Sequence, residues 1–85
     1  MLTEKFIDVT QKFLDRRNHP KQYLEIAPSD TNINPYNEWG FDSLDMVEYI
    51  MELELEYNIQ ISDEDAVSFN NIGELCNFCE NGGSK

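Results

Sequence analysis

Gly40-Phe41-Asp42-Ser43-Leu44-Asp45 runs directly into Met46-Val47-Glu48-Tyr49-Ile50-Met51-Glu52-Leu53-Glu54-Leu55-Glu56-Tyr57. Asp42 is a natural N-cap, and Asp45 at the third helical position gives a weaker version of the capping box. The spacing predicts a helix from about Ser43 to Tyr57. At about 100° per residue, Met46, Tyr49, Ile50, Leu53 and Tyr57 fall on one arc of core-facing width. Leu44, Val47, Met51 and Leu55 gather nearly opposite, with Asp45, Glu48, Glu52 and Glu56 on one flank and Glu54 on the other. One apolar stripe is enough to join a small bundle. The second reads as a docking surface, with apolar anchors for affinity and acids for steering; the alternative is that Leu44 and Val47 pack under the preceding connection. Ser43 lies at the positive end of the helix dipole, beside N–H groups with no helical partner. That suits a hydroxyl carrying a phosphate, although Asp-Ser is also a common helix start with no chemistry.

Working outward, Leu2, Phe6, Val9 and Phe13 recur at one-face spacing, so a first helix is expected from Thr3, its N-cap, to about Arg17. Asn18-His19-Pro20 ends it. Residues 18–41 then form a long connection. Pro20, Pro28, Pro35 and four asparagines argue against regular structure there, apart from a short helical turn near Lys21–Ile26. Tyr23, Leu24, Ile26, Ile33, Tyr36 and Trp39 are apolar enough to pin it across a core. After the main helix, Ile59 or Ile61 turns inward. Ser62 caps a short helix over about 63–68, Asn71 with Glu74 marks a last helix over about 72–80, and 81–85 is a frayed tail.

With 85 residues the chain suits one small domain, 1–85. Five of the six basic residues lie in the first 21 positions, and the other 64 residues hold 14 acids against Lys85 alone. Nucleic acid and acidic membranes are therefore poor partners; basic protein surfaces are good ones. No apolar run approaches the roughly 20 residues of a membrane span. Met1-Leu2-Thr3-Glu4-Lys5 lacks signal-peptide blocks, and two cysteines without a secretory context suit the reducing cytoplasm.

Gly40 to Phe78 resembles the acyl carrier protein family closely. The resemblance rests on Asp42-Ser43-Leu44-Asp45, Val47-Glu48, Met51, the acidic run to Tyr57, Ile61, Asp63-Glu64-Asp65-Ala66 and Ile72. It implies an all-α four-helix bundle with a long loop after the first helix and a short third helix. It implies a 4′-phosphopantetheine arm on Ser43, flanked by Asp42 and Leu44, transferred from coenzyme A by a phosphopantetheinyl transferase that supplies Mg²⁺ and the base. Acyl groups then ride as thioesters to acyl-transferring and chain-elongating enzymes of fatty-acid or related biosynthesis. Those enzymes would meet Leu44, Asp45, Val47, Glu48, Met51, Glu52 and Leu55 with basic surfaces. The acyl chain would shelter among Met46, Ile50, Leu53, Ile61, Ala66, Phe69 and Leu75. The carrier itself is expected to be monomeric and not an enzyme.

The chain departs from the family pattern at Trp39 and Phe41, which are expected to add aromatic bulk beside the attachment point, and at Glu52, Leu55 and the long 18–41 connection. These favour, as an alternative, a discrete carrier for aminoacyl or polyketide-type cargo; a more distant one is an unmodified acidic adaptor. Cys76-x-x-Cys79 falls at 0 and +3 on the buried side of the last helix and reads as packing, since two ligands do not close a zinc site. Asp30-x-Asn32-x-Asn34 begins like a calcium loop but has Pro35 and Phe41 at the sixth and twelfth positions. His19, the single histidine, reads as a surface residue. No metal site and no catalytic residue are expected. A formal net charge of −11 on so small a domain implies strong self-repulsion. Added salt or Mg²⁺ is expected to raise the melting temperature; a flat or falling response would contradict it.

Overall fold

The fold is organised by what each helix hides. The computed structural model describes residues 1–16 and 26–83. Within them lie five helices: α1 (Glu4–Arg16), α2 (Pro35–Glu38), α3 (Ser43–Tyr57), α4 (Asp63–Ala66) and α5 (Ile72–Glu80). No strand occurs among the described residues. Leu2, Phe6, Val9 and Phe13 are buried, as the spacing predicts, and Leu14 of α1 is buried with them. Thr3 caps this helix, its Oγ1 accepting the Phe6 N–H at 3.3 Å. Both α1 and α5 pack on α3, which is the central element.

Tyr49 of α3 is fully buried where α1 meets α3. Its ring lies edge-on to Phe6 and tilted against Phe13, with centroids 6.5 and 5.3 Å away. Its hydroxyl is 2.6 Å from that of Thr10, also fully buried, so each polar group has its partner. Burial pushes the Tyr49 hydroxyl far above its ordinary pKa, and it stays neutral. At the other end of α3, the Tyr57 hydroxyl donates to Glu80 Oε2 at 2.6 Å and Thr3 donates to the same oxygen at 2.8 Å. These donors, Tyr57 first, hold the Glu80 carboxyl below the usual carboxylate range. Lys5 lies over the Tyr57 ring, 4.6 Å from its centroid, so the start of α1 and the ends of α3 and α5 meet at one point.

The expected four helices are present, with two differences. The connection after α1 contains α2. Asn34 is its N-cap, accepting N–H bonds from Tyr36 and Asn37 at 2.9 and 3.2 Å, and Pro35 opens the helix where its missing N–H does no harm. The short helix expected over 63–68 closes at Ala66, because the Ser68 hydroxyl and N–H both bond the Asp65 carbonyl, at 2.7 and 3.0 Å. The turn expected at 21–26 and the helix stop at 18–20 lie outside the described residues, apart from Ile26, which is buried and donates its N–H to Gln11 Oε1. Of the two isoleucines after α3, Ile61 is buried and Ile59 half-buried. Asn81–Gly83, the start of the expected tail, forms a turn whose N–H groups return to the carbonyls of Asn77, Cys79 and Phe78.

The later half of the connection is tied to the start of α5. Ile72 N–H bonds the Ile33 carbonyl at 2.8 Å, Gly73 N–H bonds the Thr31 carbonyl at 3.0 Å, and Asn34 Nδ2 bonds the Asn70 carbonyl at 3.0 Å. The approach is close enough to require glycine: a Cβ on Gly73 would stand 2.7 Å from the Thr31 carbonyl oxygen and 2.8 Å from its Cβ. Gly73→Ala is expected to destabilise the fold by about 1–3 kcal/mol, the range for overpacking. An unchanged urea midpoint would show that the two segments separate without penalty.

Candidate functional site

The start of α3 is built by a turn and a reciprocal cap. Gly40 takes φ +69°, a left-handed conformation open to glycine at little cost, and lets the chain reverse before Phe41. Asp45 N–H donates to Asp42 Oδ1 at 2.9 Å, and Asp42 N–H donates to Asp45 Oδ2 at 3.1 Å. The capping box is thus complete, although aspartate is shorter than the usual glutamate at this position. Asp45 is buried by this role. Ser43 is the first helical residue and is exposed, so its hydroxyl faces solvent beside the positive end of a 15-residue helix.

The two faces of α3 separate sharply. Met46, Tyr49, Ile50 and Leu53 are buried, whereas Leu44, Val47, Met51 and Leu55 are 64, 53, 54 and 77% exposed. The described part of the connection therefore does not cover Leu44 and Val47. The acids along this stripe differ in what they do. Glu48 and Glu56 are exposed. Glu52 Oε1 pairs with Arg16 of α1 at 2.9 Å, while the same guanidinium lies over the Phe13 ring. Glu54 Oε2 accepts the Ile61 N–H at 2.8 Å and fastens the chain leaving α3.

Beside Ser43 opens a cleft of about 230 Å³. Met46, Ile50, Ile61 and Ala66 line it, together with Val47, Met51, Glu54 and Asp63. The other three residues expected to shelter a chain do not reach it. Leu53 and Leu75 are 0 and 1% exposed inside the closed core. Phe69 instead packs edge-on against Phe78, 5.2 Å between centroids. Helical spacing tells which residues face inward, but not where the interior leaves a gap. Two further residues line the cleft: Val67, which the spacing does not single out, and Tyr36, which is expected to pin the connection to the core but is instead 41% exposed. Tyr36 depends on α2, which the prolines of the connection conceal. Val67 becomes 78% exposed because α4 stops one residue before it.

Trp39 and Phe41 require a correction. They do not crowd Ser43: both side chains are buried, 8 and 5% exposed. Phe41 packs on Phe13 and Tyr49 at 5.9 and 6.0 Å, and Trp39 packs on Phe41 and Tyr49 at 5.4 and 6.2 Å. Their bulk anchors the turn before α3 to the core.

The remaining candidates serve the fold. Asp30 Oδ2 accepts the Ala27 N–H and Asn34 caps α2. Cys76 and Cys79 are buried free thiols, and burial pushes the Cys79 thiol up to about 12. His19 lies outside the described residues. No cluster of three or more metal-ligating His, Cys, Asp or Glu occurs among the described residues, and no described helix is long and apolar enough to cross a membrane.

An exposed hydroxyl at a helix N-terminus can bear an anionic ester, and the apolar-floored cleft next to it can receive what that ester carries. A 4′-phosphopantetheine group, which is a phosphate followed by a flexible chain ending in a thiol, fits both features. The sequence from 21 to 79, more than two thirds of the chain, matches the family model described as phosphopantetheine attachment site. The chain belongs to that family and is a carrier domain of the acyl carrier protein type, whose prosthetic group is a covalent 4′-phosphopantetheine.

Proposed function

We propose that Ser43 is the residue that carries the arm, and that the domain delivers acyl groups in fatty-acid or related biosynthesis. The observation that supports this most is the placement of the Ser43 hydroxyl, exposed on the first turn of α3 and bordering the cleft. In the loading step, the Ser43 Oγ attacks the phosphorus of coenzyme A next to the pantetheine. A new P–O bond forms, the pyrophosphate bond breaks, adenosine 3′,5′-bisphosphate leaves, and the hydroxyl proton passes to a base on the transferase. Asp42 and Leu44 flank the serine: Asp42 holds the helix start rigid and Leu44 stands exposed beside it. Once attached, the arm supplies a thiol that holds acyl groups as thioesters.

Under this reading Leu44, Val47, Met51 and Leu55 are the apolar anchors for the transferase and the later enzymes, with Glu48 steering basic surfaces onto them. Asp45 and Glu52 belong to the same stripe but work partly inside the domain, as cap and as partner of Arg16. Residues 1–85 act as one monomeric, cytoplasmic carrier domain that performs no catalysis itself.

A second reading, a discrete carrier for aminoacyl or polyketide-type cargo, is supported by the small volume and mixed lining of the cleft, about 230 Å³. Its apolar floor ends at Met46, Ile50 and Ile61, and Glu54 and Asp63 border it. That suits small or polar cargo as well as an aliphatic chain.

Incubated with a phosphopantetheinyl transferase, coenzyme A and Mg²⁺, the intact protein is expected to gain the mass of one phosphopantetheine, and Ser43→Ala to gain none. A wild type that stays unmodified, or a mutant that is modified, would end the assignment. The loaded protein should then be charged by acyl transferases of the fatty-acid type. Charging only by aminoacyl- or polyketide-type loading enzymes would select the second reading.

A further inference from the structure

We infer that Tyr36 is a positioning residue for the phosphopantetheine arm, packing beside it at the mouth of the Ser43 cleft; this rests on Ser43 as the attachment residue. Tyr36 and Ser43 border the same cavity of about 230 Å³. Around Tyr36 the connection turns its bulk inward: Pro35, Trp39 and Phe41 are buried, while Tyr36 is 41% exposed. Its hydroxyl makes no hydrogen bond to a described residue, unlike Tyr49 and Tyr57, whose hydroxyls are both engaged. Scattered exposed aromatics are ordinary on protein surfaces. This one differs in lying on the same cleft as the serine, with its hydroxyl bonded to no described residue.

The support beneath it is firm. Asn34 caps α2 and reaches the Asn70 carbonyl at 3.0 Å, and the Phe41 N–H bonds the Pro35 carbonyl at 3.2 Å. A tyrosine held this way offers a rigid ring at small entropic cost. The chemistry of the arm matches it. Next to the phosphate the arm carries a carbon with two methyl groups, then a hydroxyl, then two amides. The ring can cover the methyl groups, and the phenol can donate to or accept from the hydroxyl or an amide. Tyr36 would thereby bias the arm toward the cleft instead of solvent.

The test uses holo protein whose mass gain has been verified, so that attachment is scored separately. Nuclear Overhauser contacts are expected between the Tyr36 ring protons and the arm's methyl protons. The arm thiol, measured with a disulfide reagent against apo protein as baseline, should react roughly threefold faster in Tyr36→Ala, the size of one weak contact, with Tyr36→Phe between the two. Fully loaded protein with no such contacts, and a rate unchanged by Tyr36→Ala, would overturn the role of Tyr36 and leave Ser43 standing. Protein that takes no arm would overturn both.

Discussion

Helix α3 could present any of its sides to its neighbours, and the burial of Tyr49 selects one. Its ring is surrounded by Phe6 and Phe13 of α1 and by Trp39 and Phe41 from the turn before α3, while its hydroxyl is matched to Thr10. Rotating α3 would pull a large aromatic out of this cluster and strand a buried hydroxyl, and both are unfavourable. Once Tyr49 is inside, the 100° step of the helix sends Leu44, Val47, Met51 and Leu55 outward. The same rotation leaves Ser43 on the surface at the cleft. The site is thus a consequence of core packing on the opposite side of the helix.

The connection between α1 and α3 works as a strap as well as a link. It borrows hydrogen bonds from the start of α5 through Thr31, Ile33 and Asn34, and it places two aromatics under α3. A segment of this length without such ties would be unusual in so small a domain. Its described part closes one side of the cleft with a single helical turn, so the mouth of the site is made by the segment that looks least structured in sequence.

Local signals are legible from sequence because their physics is local. Asp42 with Asp45, and Asn71 with Glu74, set the starts of α3 and α5 through contacts three residues away. The period of the apolar residues separates the two faces of α3 without any knowledge of its neighbours. What spacing does not contain is tertiary. Arg16 and Glu52 are far apart in sequence, so their pairing follows only from how α1 lies on α3. Trp39 and Phe41 stand next to Ser43 in the chain, yet their side chains turn the other way across the Gly40 reversal. Leu53 and Leu75 face inward as their period requires, but the interior has no gap where they stand. The start of α2 does carry a local signal, Asn34 followed by Pro35 at the first helical position. Read as a breaker, the proline hides it.

Sulfur chemistry gives the two cysteines of α5 a further meaning. Under the proposed function the cargo rides as a thioester beside the domain's own thiols, and a thiolate can take an acyl group from a thioester. Both Cys76 and Cys79 are sealed under the helix, at 1 and 2% exposure. Burial pushes the Cys79 thiol well above the ordinary thiol range, so it stays protonated near neutral pH. The packing that makes these residues useful as small hydrophobes would also keep them from intercepting a thioester cargo.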